Sequence, residues 1–179
     1  MGHGLNTHMR GALWVALASI CWVPSTQAST VLEEIVVTAQ KRPEIMLQTP
    51  VSIVALDAAE LTARRYQDLS DLAAAVPNLQ ALPHPNADST LLLFMRGVGN
   101  SDEQIIQDPS VAVYLDGVYL SRSQGLTSEL LDLERIEVLR GPQGTLYGRN
   151  ATSGTINLIS AKPDSEAWAF TQSVTLGER

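Results

Sequence analysis

The residues able to do chemistry are concentrated in one stretch, Leu133 to Asn157 (LERIEVLRGPQGTLYGRNATSGTIN), in which Gly141, Gly144, Gly148 and Gly154 follow a β-prone run. A glycine-rich loop after a strand can cradle a phosphate, because glycine lets several backbone N–H groups converge on one anion. The spacing fits neither G-x-x-x-x-G-K-[ST] nor G-x-G-x-x-G, and the loop holds no lysine to reach a phosphate, which argues against nucleotide binding. The same glycines have a structural reading: each permits positive φ or a close backbone approach, so that the chain folds tightly against a neighbouring wall. Asn150-Ala151-Thr152 matches a glycosylation sequon, but nothing else in the sequence points to a eukaryotic secretory route.

Other reactive groups are sparse. Cys21 is the sole cysteine and lies inside an apolar leader, while His84 stands alone between Pro83 and Pro85 with no second imidazole at ligand spacing. A loop histidine is the better reading there, and no metal site or cofactor is expected. Without a paired base for any nucleophile, or two carboxylates in a nameable cleft, no catalytic arrangement can be assembled and an enzyme is not expected. The net charge of −7 carries no basic block, which excludes nucleic acid as a partner.

The elements that position these residues begin after a leader. Met1 to Arg10 is polar with one positive charge, Gly11 to Val23 is an apolar run, and Thr26-Gln27-Ala28 supplies small residues for cleavage after Ala28. This run falls short of the roughly 20 residues that span a bilayer, so residues 1–28 read as a signal peptide. Ile20 before Cys21 is unlike a lipoprotein cleavage site, so Cys21 leaves with the leader and the exported chain has no thiol.

Residues 29–42 form an extension whose run Ile35-Val36-Val37-Thr38 can make one short strand. That strand suits either pairing with the exposed sheet edge of another protein or an internal sheet edge. Pro50 opens a strand over Val51 to Leu56; Asp57 is placed to cap a helix running to Arg65, with Glu60 three residues on. Asp68 is the candidate cap of a second helix whose apolar stripe is Leu69, Leu72, Ala73 and Val76, ended by Pro77. Gln80 to Ser89 reads as a Pro/Asn-rich loop, Leu91 to Phe94 as a buried strand ending at Arg96-Gly97, and Val98 to Pro109 as a second loop. Asp116-Gly117 between two β-prone runs predicts a hairpin over Val111 to Leu120; one helical turn is expected over Thr127 to Leu131 and a strand over Ile136 to Leu139. Short strands and helices interleaved without long crossovers predict a small α+β domain with a mixed sheet over residues 43–163. Trp168 to Leu176 alternates bulky apolar with small or polar residues, as a barrel strand between lipid and a polar lumen does; a sandwich edge strand alternates in the same way. Residues 164–179 are therefore expected to begin a β-barrel.

Leu133 to Gln143, Leu146-Tyr147-Gly148, Asn150-Ala151 and Gly154 to Asn157, in that order, resemble the plug domain of TonB-dependent outer-membrane receptors. Glu34-Ile35-Val36-Val37-Thr38-Ala39 resembles a TonB box, Met95-Arg96-Gly97 the Arg-Gly strand end, and Val113 to Val118 the hairpin of that family. The resemblance implies a plug seated in a transmembrane barrel of roughly 22 strands, importing a scarce nutrient such as an iron-siderophore complex with energy delivered by TonB and its inner-membrane complex. It implies that Glu34, Ile35, Val36, Val37 and Thr38 bind TonB by strand addition, and that Arg96 and Arg140 meet glutamates of the barrel wall. An internal pair of these arginines with Glu134 or Glu137 is the alternative. Gly97, Asp116, Gly117, Glu137, Gly141, Pro142, Tyr147, Gly148, Asn150 and Gly154 carry the plug motif. Loops with His84, Asn86, Asp102, Gln104, Tyr119 and Arg122 would face substrate. A freestanding periplasmic module that engages TonB without transporting is the second reading.

Overall fold

The computed structural model describes residues 35–101, 107–127 and 130–163. The predicted leader, the final amphipathic strand, Glu34, Asp102 and Gln104 lie outside these residues, as does part of the turn expected over Thr127 to Leu131.

A five-stranded sheet organises the domain, in the order β3-β9-β10-β7-β8, where β3 is Ile53–Asp57, β7 Val111–Leu115, β8 Val118–Leu120, β9 Leu133–Arg140 and β10 Gly154–Ser160. Strand β10 runs parallel to β7 and antiparallel to β9, so the sheet is mixed, as expected. A second sheet joins β4 (Leu79–His84), β5 (Ala87–Met95) and β6 (Val98–Gly99), and a two-stranded ribbon pairs β1 (Val36–Val37) with β2 (Glu44–Ile45). Helices are short: α1 Ala58–Arg64, α2 Leu72–Ala75 and α3 Gly144–Tyr147. No helix among the described residues is long and apolar enough to cross a membrane, which says nothing about strands.

Alternation along the central strands sends side chains to two covered faces. On one face Leu56, Val113, Ile136, Val138 and Ile156 pack with Leu61 of α1, Leu72 of α2, and Leu91, Leu93 and Met95 of β5. On the other, Ala112, Tyr114 and Leu139 pack with Val37, Ala39, Tyr147 and Ala151. The N-terminal ribbon and α3 thus close a face that would otherwise meet water.

Asp57 caps α1 as predicted, its side chain accepting from Glu60 N at 2.7 Å. Leu69, Leu72 and Val76 are buried as the stripe requires. Asp68, however, does not cap a helix: its carboxylate accepts from Ser70 N at 2.7 Å and forms a turn, while Asp71 precedes α2. The hairpin at Asp116-Gly117 forms with positive φ at both turn residues, and the Asp116 carboxylate accepts from Ser160 N and Oγ at 2.9 and 2.7 Å. Those bonds, the hydroxyl's first, hold its pKa below the usual carboxylate range.

The segment Gln80 to Ser89 is a correction. It forms most of the β4–β5 hairpin, with Leu79 and Ala81 buried between exposed Gln80 and Leu82. Strand β4 is a sheet edge, so Pro83 removes an amide that no neighbour needs, and the register shifts just after it. Likewise Val98 and Gly99, read as loop, pair with β5.

Candidate functional site

Arg96 and Gly97 form the two-residue turn from β5 to β6, with φ of 54° and 77°. Positive φ at both positions is the backbone that matches the twist of a tight hairpin, and arginine adopts it at a cost that Asn, Asp or Gly avoids. The turn is fixed by Arg96 N donating to Asn78 O at 2.8 Å. Its guanidinium lies over Gly141, the residue after Arg140: a Cβ added at Gly141 would stand 2.9 Å from Arg96 Nη1. Gly141 is itself at φ 108° and buried. Arg140 ends β9, its N–H donating to Ser52 O at 2.8 Å, and its Nε is buried without a hydrogen-bond partner.

Among the described residues neither Arg96 nor Arg140 forms an ion pair. Glu134 and Glu137 do not take them; both pair with Arg135, the Nε of which donates to Glu137 Oε1 at 2.9 Å. The internal pairing weighed from the sequence is therefore not the arrangement adopted. The exposed Arg96, whose guanidinium lies over Gly141, and the half-buried Arg140 are thus both without a carboxylate partner among the described residues.

A second site holds the N-terminal strand. Val36 is 46% exposed, whereas Val37 is wholly buried and Ile35 partly so. Thr38 N donates to Glu137 Oε1 at 2.7 Å, and its hydroxyl lies 3.1 and 3.2 Å from the two carboxylate oxygens. Tyr147 donates to Ala39 O at 2.9 Å and accepts from Asn157 Nδ2 at 2.9 Å, while the Tyr114 hydroxyl donates to Tyr147 O. The Tyr114 ring stands 5.3 Å from that of Tyr147 and 5.4 Å from that of Tyr119, and Lys41 Nζ lies 5.4 Å from the Tyr147 ring centroid. Burial raises the pKa of all three phenols, which keeps them neutral, and Tyr114 and Tyr147 serve as donors. Asn157, Tyr114 and the Ala39 carbonyl were not marked as site groups from the sequence; their common face is set by sheet register, which no local pattern displays.

Of the residues read as substrate-facing, His84 and Asn86 sit at the β4–β5 tip, where Asn86 N donates to His84 Nδ1 at 3.1 Å. Tyr119 accepts from Asn150 Nδ2 at 2.6 Å, near an Arg149–Asp108 pair at 3.0 Å, and Arg122 is exposed in the following loop. Gly125 N bonds Ser89 O at 2.6 Å and Thr127 Oγ1 bonds Asp88 O at 3.1 Å, tying that loop to the hairpin. Among the described residues no cluster of His, Cys, Asp and Glu could hold a metal ion. Of the remaining motif residues, Pro142 is exposed after Gly141, Gly148 has φ 87°, and Gly154 packs against β5 and β9.

Residues 46–155 match the family model for the TonB-dependent receptor plug domain. This chain belongs to that family. The plug is 32% identical over 143 residues to the iron-regulated outer membrane virulence protein of Vibrio cholerae, covering 76% of this chain and 21% of the relative. It is 34% identical to the pesticin receptor of Yersinia pestis, covering 73% of this chain and 19% of that protein. Among solved structures it is similar to the ferric yersiniabactin uptake receptor FyuA from Yersinia pestis, with TM-score 0.57, 36% identity, and coverage of 64% and 18%. The ferripyoverdine receptor of Pseudomonas aeruginosa shares the fold, with TM-score 0.59, 19% identity, and coverage of 73% and 17%. The chain spans about a fifth of the length of the curated relatives it matches. As a plug domain of this family it is not an enzyme.

Proposed function

We propose that this chain is the plug portion of a TonB-dependent outer-membrane receptor that takes up a scarce nutrient, with an iron-siderophore complex as the leading substrate class. Its place is the outer membrane, as for the relatives named as outer-membrane proteins. Ile35, Val36, Val37 and Thr38 serve as the strand that TonB takes up, and Arg96 and Arg140 anchor the plug to carboxylates of a surrounding barrel wall. A guanidinium suits that task, because bidentate pairing with a carboxylate is directional and water entry can loosen it.

The observation that carries this reading is that neither Arg140, whose Nε is buried and unpartnered at the end of β9, nor Arg96, which lies over Gly141, has a carboxylate partner among the described residues. A domain whose charges were complete within itself would place an acid near Arg140, since a half-buried cation left unpaired is costly, whereas Arg96 is exposed and solvated. The short β1 strand ahead of the plug adds to it, because main-chain pairing asks little of side chains.

The test is a calorimetric titration of the chain with the C-terminal domain of TonB. Binding is expected, and Val36→Pro is expected to abolish it by removing a ladder amide. Equal binding of the proline variant would remove the strand-addition reading.

A further inference from the structure

The strand that Proposed function assigns to TonB is held down by side chains of the plug motif, and the inference below rests on that assignment. Strand addition needs the backbone N–H and C=O groups of the added segment to be free. Here Ile35 O accepts from Met46 N at 3.0 Å, Thr38 N is taken by Glu137 at 2.7 Å, and Ala39 O by Tyr147 at 2.9 Å. The groups a strand-adding partner would use on the C-terminal side of β1 are thus occupied by one carboxylate and one phenol.

Neither holder belongs to the segment it holds. Glu137 comes from β9 and is wholly buried; Tyr147 comes from α3 and is gripped from behind by Asn157 and Tyr114. Hydrogen bonds to an ionised carboxylate are roughly twice as strong as neutral ones, so Glu137 is the firmer of the two. When Thr38 leaves, Glu137 keeps Arg135 at 2.9 Å, so release does not strand a buried charge. A cleft of about 480 Å³ lined by Thr38, Lys41, Tyr114, Tyr147 and Asn157 opens beside these bonds, giving water access to groups the segment vacates. The arrangement can therefore open and close without dismantling the sheet.

We infer that Glu137 and Tyr147 form a clasp on Thr38 and Ala39 that withholds the N-terminal strand from TonB and sets how readily it is surrendered.

The test is hydrogen–deuterium exchange on the full chain, comparing the wild type with Glu137→Gln, Tyr147→Phe and Thr38→Val, alongside titration with the TonB C-terminal domain. The clasp predicts that amides of residues 37–41 exchange about fivefold faster or more in Glu137→Gln, where a charged acceptor becomes a neutral one, and in Tyr147→Phe, where one hydrogen bond is lost, while Ile136, Val138 and Ile156 stay protected. TonB affinity should rise by a similar factor. Should Glu137→Gln lose protection across the sheet, Tyr147→Phe decides, since it keeps the buried carboxylate; Thr38→Val, which keeps the backbone N–H bond to Glu137 and loses only the hydroxyl contact, should show the smaller effect. Unchanged exchange at residues 37–41 in variants with an intact sheet overturns the clasp. Faster exchange there upholds it even if TonB binds none of the proteins, an outcome that overturns the handle reading instead.

Discussion

Arg96 lays its guanidinium over the bare α-carbon of Gly141, two residues far apart in sequence brought together by the β5–β6 turn and the end of β9. A methyl group at Gly141 would stand 2.9 Å from Arg96 Nη1, but that atom is the far end of a flexible side chain and can move aside. The φ of 108° cannot be relieved so easily. Gly141→Ala should destabilise the domain by about 1–3 kcal/mol through backbone strain. Chemical denaturation should give nearly the same loss in an Arg96→Ala background; a loss that vanishes there would mean the side-chain contact, not φ, is the cause.

Gly154 presents the opposite case. Its φ is ordinary, but an added Cβ would meet the Leu139 carbonyl oxygen at 2.6 Å and the Met95 sulfur closer still. Backbone cannot step aside within a paired strand. Gly154→Ala should therefore cost about 1–3 kcal/mol by overpacking, and Met95→Ala added to it should restore only part of the loss. Denaturant midpoints of the single and double variants check this.

Arg96 occupies a left-handed conformation that glycine would hold without strain. Arg96→Gly should stabilise the isolated chain by about 0.5–1 kcal/mol. In a receptor that includes a barrel the same change should lower uptake if Arg96 anchors the plug as proposed, because that charge is gone. Improved melting with unimpaired uptake would show that the arginine has no role in seating.

Burial raises the pKa of Tyr147, Tyr114 and Tyr119 above the ordinary value of 10.0. A folded-state pKa above the unfolded one means that stability is fully present below pH 10 and is lost as pH rises through the folded values. Unfolding free energy should be flat from pH 7 to about 9 and fall above about 10, and Tyr147→Phe should shallow that fall. Phenolate absorbance during an alkaline titration, read beside the denaturation midpoint, checks the sign.

Local chemistry was legible in the sequence where it depends on a few neighbouring residues. Asp57 before an apolar turn and Asp116-Gly117 between β-prone runs each specify their geometry within four residues, and both formed as read. The β4 strand was hidden because Pro83, Pro85 and Asn86 are turn formers, and only its place at a sheet edge makes proline tolerable there. Strand β10 was missed as a strand because its residues are buried on both faces from Gly154 to Leu158, which erases alternation.

Glu137 shows the same limit at the site. In Leu133–Arg140 it lies on the parity opposite Ile136 and Val138, where a half-solvated sheet would expose it. Its burial depends on the β1 segment folding over that face, nearly a hundred residues away in sequence. The arginines carried no local sign of being unpaired, since Glu134 and Glu137 stood close by; that Arg135, between them in sequence, takes both acids emerged only with the fold.

The position of β10 between β9 and β7 has a bearing on how this domain comes into being. The last strand of the described chain is the keystone of the main sheet, so the segments made before it have no completed surface to settle on. Long-range pairing of this kind slows folding and leaves earlier strands waiting with open edges. Until residues 154–160 arrive, β7–β8 and β3–β9 cannot be joined into one sheet, although the β4–β5–β6 sheet asks nothing of them.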